Sequence, residues 1–224
     1  AYNLYDGEVL AKGKEDRASK KCQEFAVKDT PSLMEFLGYT FCFSSVLAGP
    51  AFEFSSYARA CSGSLLYTPD GKPRGKIPSN AWPSLQPFLV CLLNLAIFVL
   101  LGAHFPLLDP VDPQHDLPVV LKPDFLQKPW LSRFAYTLVA LFVVRQKYYF
   151  AWKSAEGATN VWYAGFDGFD ENGNPKGWEQ SSNSNILGFE TAPSLQVLSK
   201  EWNKKTSLWL TRYVYIRTNG SLLA

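Results

Sequence analysis

The stretch Ser199–Arg217, SKEWNKKTSLWLTRYVYIR, sets an asparagine, two lysines and a threonine at the head of an aromatic helix, in a chain that is 47% hydrophobic and 15% aromatic. Polar groups in such company are costly unless they are paired or used. Helical spacing puts Trp202, Thr206, Trp209 and Tyr213 on one face, at intervals of four, three and four, and Asn203, Ser207, Leu210, Val214 and Arg217 on the adjacent one. Such a helix can wall a chamber whose reacting end is wet. On spacing alone, an asparagine at a helix head is more often a local hydrogen-bonding residue than a reacting one.

Other residues with chemical potential are weaker candidates. Asp170, Asn172 and Asn174 have the spacing that starts a calcium loop, but Pro175 stands where glycine is needed and Ser181 where a bidentate glutamate belongs. Calcium is therefore not expected. His104 ends an apolar run and is followed by Phe105-Pro106, where an interfacial histidine is ordinary. The cysteines, Cys22, Cys42, Cys61 and Cys91, are widely spaced and form no C-x-x-C pair, so they read as reduced, packed thiols without a disulfide frame or metal site. Glu190, in an apolar helix, is either a chamber-facing carboxylate or a buried partner for Arg212 or Arg217.

The elements that must position these groups read as an all-α, polytopic membrane protein with long loops and broken or re-entrant helices. Polar loops alternate with very apolar runs, which argues against a soluble globule. The formal net charge of +2 gives a nucleic-acid partner no electrostatic basis. Leu85 to Phe105 lies in a stretch with no residue charged at neutral pH, and is about the length that spans hydrocarbon. Within it, Pro87 is expected in the first helical turn, and Asn94 at mid-span needs an internal partner.

A second span is expected from Trp130 to Trp152, with Trp130 and Trp152 as interfacial anchors, Tyr148 and Tyr149 reinforcing the second belt, and Arg133 and Arg145 snorkelling to opposite interfaces. The uncharged run Phe36–Phe52 contains Gly49-Pro50 and reads as a broken or re-entrant segment. Lys72, Arg74 and Lys76 favour a cytosolic side for their loop. A partly exposed or interfacial helix is expected over Glu8–Val27, and one or two helices broken near Pro193 at the C-terminal end, with Ser194 capping the second. No internal repeat supports a transporter built on broken helices.

EWNKKTSLWLTRYVYIR resembles the W-N-x-x-T-x-x-W-L-(R)-x-x-V-Y-x-R signature of the lysophospholipid acyltransferase branch of the membrane-bound O-acyltransferase superfamily. YNLYDG near the start, PSLMEFLGYTFCFSSVLAGPAFEFSSY (31–57) and GFDGFDENGNPKGWEQSSNSNILGFETAP (165–193) resemble the same branch in the same order. The likeness runs from Asn3 to Arg217. It implies that residues 1–217 are the central part of a single domain truncated at both ends, with 218–224 a divergent tail carrying an Asn219-Gly220-Ser221 sequon.

It also implies an integral membrane enzyme, in the endoplasmic reticulum, that moves a fatty acyl group from acyl-coenzyme A (acyl-CoA), a co-substrate, to a lysophospholipid hydroxyl without a further cofactor. Of the family's catalytic histidine and asparagine, Asn203 matches the asparagine. The histidine is expected a few tens of residues further on in an apolar helix, past Ala224. Neither His104 nor His115 matches it, so the chain by itself is expected to be inactive. The alternative is a catalytically silent membrane fragment that binds lipid or packs against other helices.

The resemblance makes Trp202, Thr206, Trp209 and Tyr213 candidates for lining the acyl or thioester path, with packing between helices as the plain alternative. Asn183 and Glu190 match residue types common in the family pattern and join them as substrate-binding candidates. Lys204, Lys205 and Arg212 suit either coenzyme A phosphates or anionic lipid headgroups.

Overall fold

The computed structural model describes residues 2–12, 23–50, 52–107 and 118–218. Cys22, His115, the sequon at 219–221, most of the proline-rich loop at 109–124 and the middle of the helix expected over Glu8–Val27 lie outside them. Helices dominate, and isolated bridges join Tyr67 with Pro73 and Phe169 with Pro175.

The core is an antiparallel pair, α4 (Ala81–Gly102) and α6 (Trp130–Val161). Three others precede it: α1 (Tyr2–Ala11), α2 (Leu33–Thr40) and α3 (Phe54–Cys61). A short α5 (Pro123–Leu126) leads into α6. Three short helices close the chain: α7 (Ile186–Glu190), α8 (Leu195–Glu201) and α9 (Lys204–Leu210), the last running into a π-helical turn at Thr211–Tyr215.

Among the described residues, α4 is the one helix long and apolar enough to cross a membrane, with a mean hydropathy of 2.2 over its most apolar window. It starts earlier than expected, so Pro87 is not in the first turn but inside the helix. A proline there has no N–H to give the carbonyl four residues back, which belongs to Pro83. That carbonyl instead accepts from the Asn160 side-chain amide of α6 at 2.8 Å. The Asn80 amide crosses the same way to the Val161 carbonyl at 2.6 Å. Just past these ties the helices nearly touch: a Cβ on Gly157 would meet the Ser84 carbonyl oxygen at 3.0 Å.

Helix α6 is 32 residues long, about 48 Å at ~1.5 Å per residue, and overruns the span expected to end at Trp152. Its polar groups are absorbed internally, which explains the difference. Gln146 donates to the Phe142 carbonyl at 3.0 Å, as Asn94 of α4 does to Val90 at 2.6 Å, and Lys153 pairs with Glu156 at 2.7 Å. Side chains folded onto their own helix satisfy these groups without a partner from the other helix. The expected second aromatic belt is corrected too. Tyr149 and Trp152 are buried, at 0% and 8% exposure, because they face the C-terminal helices.

The run Phe36–Phe52 is broken as its glycine and proline suggest: α2 stops at Thr40 and turns carry the chain on to Gly49. Ser32 and Glu35 form a reciprocal capping box at its start. Within Glu8–Val27 the described ends do not form one helix, since α1 stops at Ala11 and Gln23–Phe25 is a single 3-10 turn. Cys42 and Cys91 are buried thiols, whereas Cys61, at the end of α3, is exposed rather than packed.

Candidate active site

Asn160 also starts the path to the C-terminal site. Its side-chain oxygen accepts from the Ser181 hydroxyl at 3.3 Å, and Gly165 fits beneath it only because it lacks a side chain: a Cβ would lie 1.8 Å from that oxygen. Ser181, Ser182, Asn183 and Ser184 are then all buried, an unusual fate for a polar run. In the preceding loop the calcium-like residues close on themselves. The Asp170 carboxylate accepts from the Asn172 and Asn174 backbones at 2.9 and 2.8 Å, and the Asn174 bond is the largest cause holding it below the usual carboxylate range.

The buried run delivers Asn183 to the head of α9. The first N–H groups of a helix have no partner within it. Here the Asn183 carbonyl takes the Lys204 N–H at 2.8 Å and its side-chain oxygen takes the Lys205 N–H at 3.0 Å. The other end of the Asn183 amide donates to the Asn203 side-chain oxygen at 3.0 Å, and the Thr206 hydroxyl donates to the same oxygen at 2.9 Å. Asn203 is left-handed, with φ 50° and ψ 45°, a region that asparagine tolerates better than most residues with a side chain.

With its oxygen held by two donors, the Asn203 amide has its N–H groups left to give, and among the described residues no protein acceptor takes them. The side chain lines a hollow of about 460 Å³ shared with Phe189, Trp202, Thr206, Ser207 and Leu210. Chemically, the arrangement is a fixed amide donor at the edge of a largely apolar space.

The aromatic face expected of this helix is divided. Trp202 and Thr206 line the smaller hollow, but Trp209 and Tyr213 line a larger one of about 780 Å³, reached from the opposite side of α9. The left-handed residue at Asn203 takes Trp202 out of the helix, and the π-helical turn winds Tyr213 more slowly than a 3.6-residue repeat. Trp202 packs edge-on against Tyr148, Tyr149 and Trp152, with ring centres 5.7, 5.7 and 4.8 Å away, and against Phe189 at 4.9 Å.

Glu190 is neither an open carboxylate nor a partner of Arg212 or Arg217. It is gripped by Arg145 at 2.8 and 2.7 Å and by the Tyr149 hydroxyl at 2.7 Å, so Arg145 does not snorkel. Arg212 pairs with Glu53 at 2.9 Å, and Arg217 forms a two-point pair with Asp6 at 2.8 and 2.6 Å. The Tyr213 hydroxyl, with a single proton to donate, lies within hydrogen-bonding distance of both the Glu53 carboxylate and the Asn3 side-chain oxygen. The segments around YNLYDG and Glu53 therefore buttress the helix that carries Asn203. Nothing in residue spacing revealed Asn160, Ser181, Glu53 or Asp6 as supports.

Of the cations, Lys204 is held by Glu179 at 3.1 Å. Lys205 lines the larger hollow, where burial pushes its ammonium below the usual lysine range against the pull of Asp167. His104 is not brought to Asn203. Phe105, its neighbour, packs on Tyr136, whereas Trp202 packs on Trp152, sixteen positions or about 24 Å further along α6.

The model of the membrane-bound O-acyltransferase family matches residues 11–224 of the chain. The chain is 32% identical to the lysophospholipid acyltransferase of Schizosaccharomyces pombe, over 97% of its own length and 40% of that protein. It is 33% identical to membrane-bound glycerophospholipid O-acyltransferase 1 of Mus musculus (97% and 43%) and 30% identical to lysophospholipid acyltransferase 1 of Arabidopsis thaliana (96% and 43%). It spans about two fifths of the length of these relatives.

Proposed function

The chain belongs to the membrane-bound O-acyltransferase family, and from that premise we propose that it forms the central part of a polytopic enzyme of the endoplasmic reticulum that transfers a fatty acyl group from acyl-CoA to the hydroxyl of a lysophospholipid. The observation that carries the reading is the Asn203 amide, fixed through its oxygen and with its N–H groups toward a hollow. Relatives named for acylation of lysophospholipids and glycerophospholipids support the substrate class.

In this reaction the hydroxyl oxygen attacks the thioester carbonyl carbon, an ester bond forms, and the carbon–sulfur bond breaks. An alcohol is a poor nucleophile at neutral pH, so a base must take its proton, which ends on the departing coenzyme A thiolate. In this proposal the base is a histidine from a part of the enzyme beyond this chain, as the family resemblance implies. Asn203 donates to the oxyanion that develops on the thioester carbonyl. A donor already aimed there costs no reorganisation when the charge appears.

Asn183 acts through Asn203 and is a positioning residue. Membranes carrying the full-length protein are expected to esterify a lysophospholipid with acyl-CoA. Asn183→Ala lowers kcat by roughly 10- to 100-fold, since small misplacements of a reacting group have costs of that order, and changes KM for acyl-CoA far less. Asn183→Asp does the same, because a carboxylate still caps α9 but cannot donate to the Asn203 oxygen. A full-length protein without transferase activity counts against the function, and normal kcat in both variants counts against the positioning role.

A further inference from the structure

The larger hollow lies on the opposite side of α9 from the one Asn203 lines, and at about 780 Å³ it is within the ~300–1,000 Å³ range of small-molecule sites. Phe36, Phe52, Leu208 and Trp209 make its walls apolar. Its polar lining is selective. Arg212 is neutralised by Glu53, which also accepts from Tyr213, so that corner is already satisfied. Lys205 is different: among the described residues no carboxylate lies within ion-pair distance of its ammonium, Asp167 attracting it only from further off and Glu179 being taken by Lys204. Gln180, with an amide able to donate, lines the same space.

An apolar chamber with one unmatched cation and a neutral donor complements an amphiphile with one negative head and one hydrocarbon tail. We propose that this hollow is a binding site for a single-chain anionic amphiphile, its carboxylate or phosphate head at Lys205 and its tail between α2 and α9. The site is separate from the Asn203 hollow, and its occupancy does not depend on acyl transfer.

The test is photolabelling of the purified full-length protein with three diazirine-bearing probes of equal chain length: a fatty acid, a lysophosphatidate and a monoacylglycerol. Both anionic probes, or one of them, label peptides containing Phe36 or Trp209, and the stronger identifies the head as carboxylate or phosphate. Lys205→Gln weakens that labelling by roughly tenfold or more, the scale of a hydrogen bond to a charged group, whereas Lys205→Arg retains it. Asn203→Gly leaves it unchanged, so loss of the acyl-transfer reading would not remove this one. No labelling of the hollow, equal labelling by the uncharged probe, or indifference to Lys205→Gln overturns the proposal.

Discussion

In the full-length enzyme, Asn203→Gly lowers kcat by about two to three orders of magnitude, the loss typical of removing one donor to a developing oxyanion. Glycine is the more informative substitution. Asn203 has a φ of 50°, and alanine there adds backbone strain to the loss of the amide. Glycine adopts that φ without strain, so the head of α9, capped by Asn183, is retained. If the residue mattered only for the turn, glycine would restore activity that alanine loses. The account expects both variants to be equally inactive while folding normally, and KM for acyl-CoA to move little beside kcat. Substantial turnover with glycine would assign Asn203 to the backbone and not to the chemistry.

The second large effect is on stability. Asp6→Asn is expected to destabilise the protein by about 3 to 5 kcal/mol, because it removes the charge from one side of a buried two-point ion pair. Asp6 is fully buried and the Arg217 side chain is 12% exposed, so water cannot replace the lost carboxylate. Arg217→Lys keeps the charge but loses the two-point geometry and should fall between the two. Thermal unfolding in detergent, followed by helical circular dichroism, measures both. An unchanged midpoint for Asp6→Asn would mean that the contact between the N-terminal motif and the end of the α9 segment does not hold the two together.

What was legible in the sequence follows from how locally each feature is determined. Helix α4 announces itself because nothing charged interrupts it, and Asn94 solves its polarity with its own backbone. Its start was misplaced because Trp82-Pro83-Ser84 has loop chemistry. The helix extends through them only because Asn160, far along the chain, accepts the burden of the missing Pro87 N–H. The same non-local accounting hid the partner of Glu190, whose arginine is 45 positions away.

At the site, the identity of Asn203 was readable from its motif, but its environment was not. Extrapolating a 3.6-residue repeat placed Trp202, Thr206, Trp209 and Tyr213 on one face. The division falls between Thr206 and Trp209, inside α9, whose two sides face different hollows. Asn183 stood out by residue type alone. That it holds Asn203 from behind is a tertiary fact, since the donor is 20 positions from its acceptor.

The central claim is that the Asn203 amide meets the reacting carbonyl. An experimental structure of the full-length protein with a non-hydrolysable acyl-CoA analogue tests it most directly. The analogue's carbonyl oxygen is expected within about 3 Å of the Asn203 side-chain nitrogen, a hydrogen-bonding distance. An analogue bound elsewhere, with another segment of the protein filling the hollow beside Asn203, would contradict it.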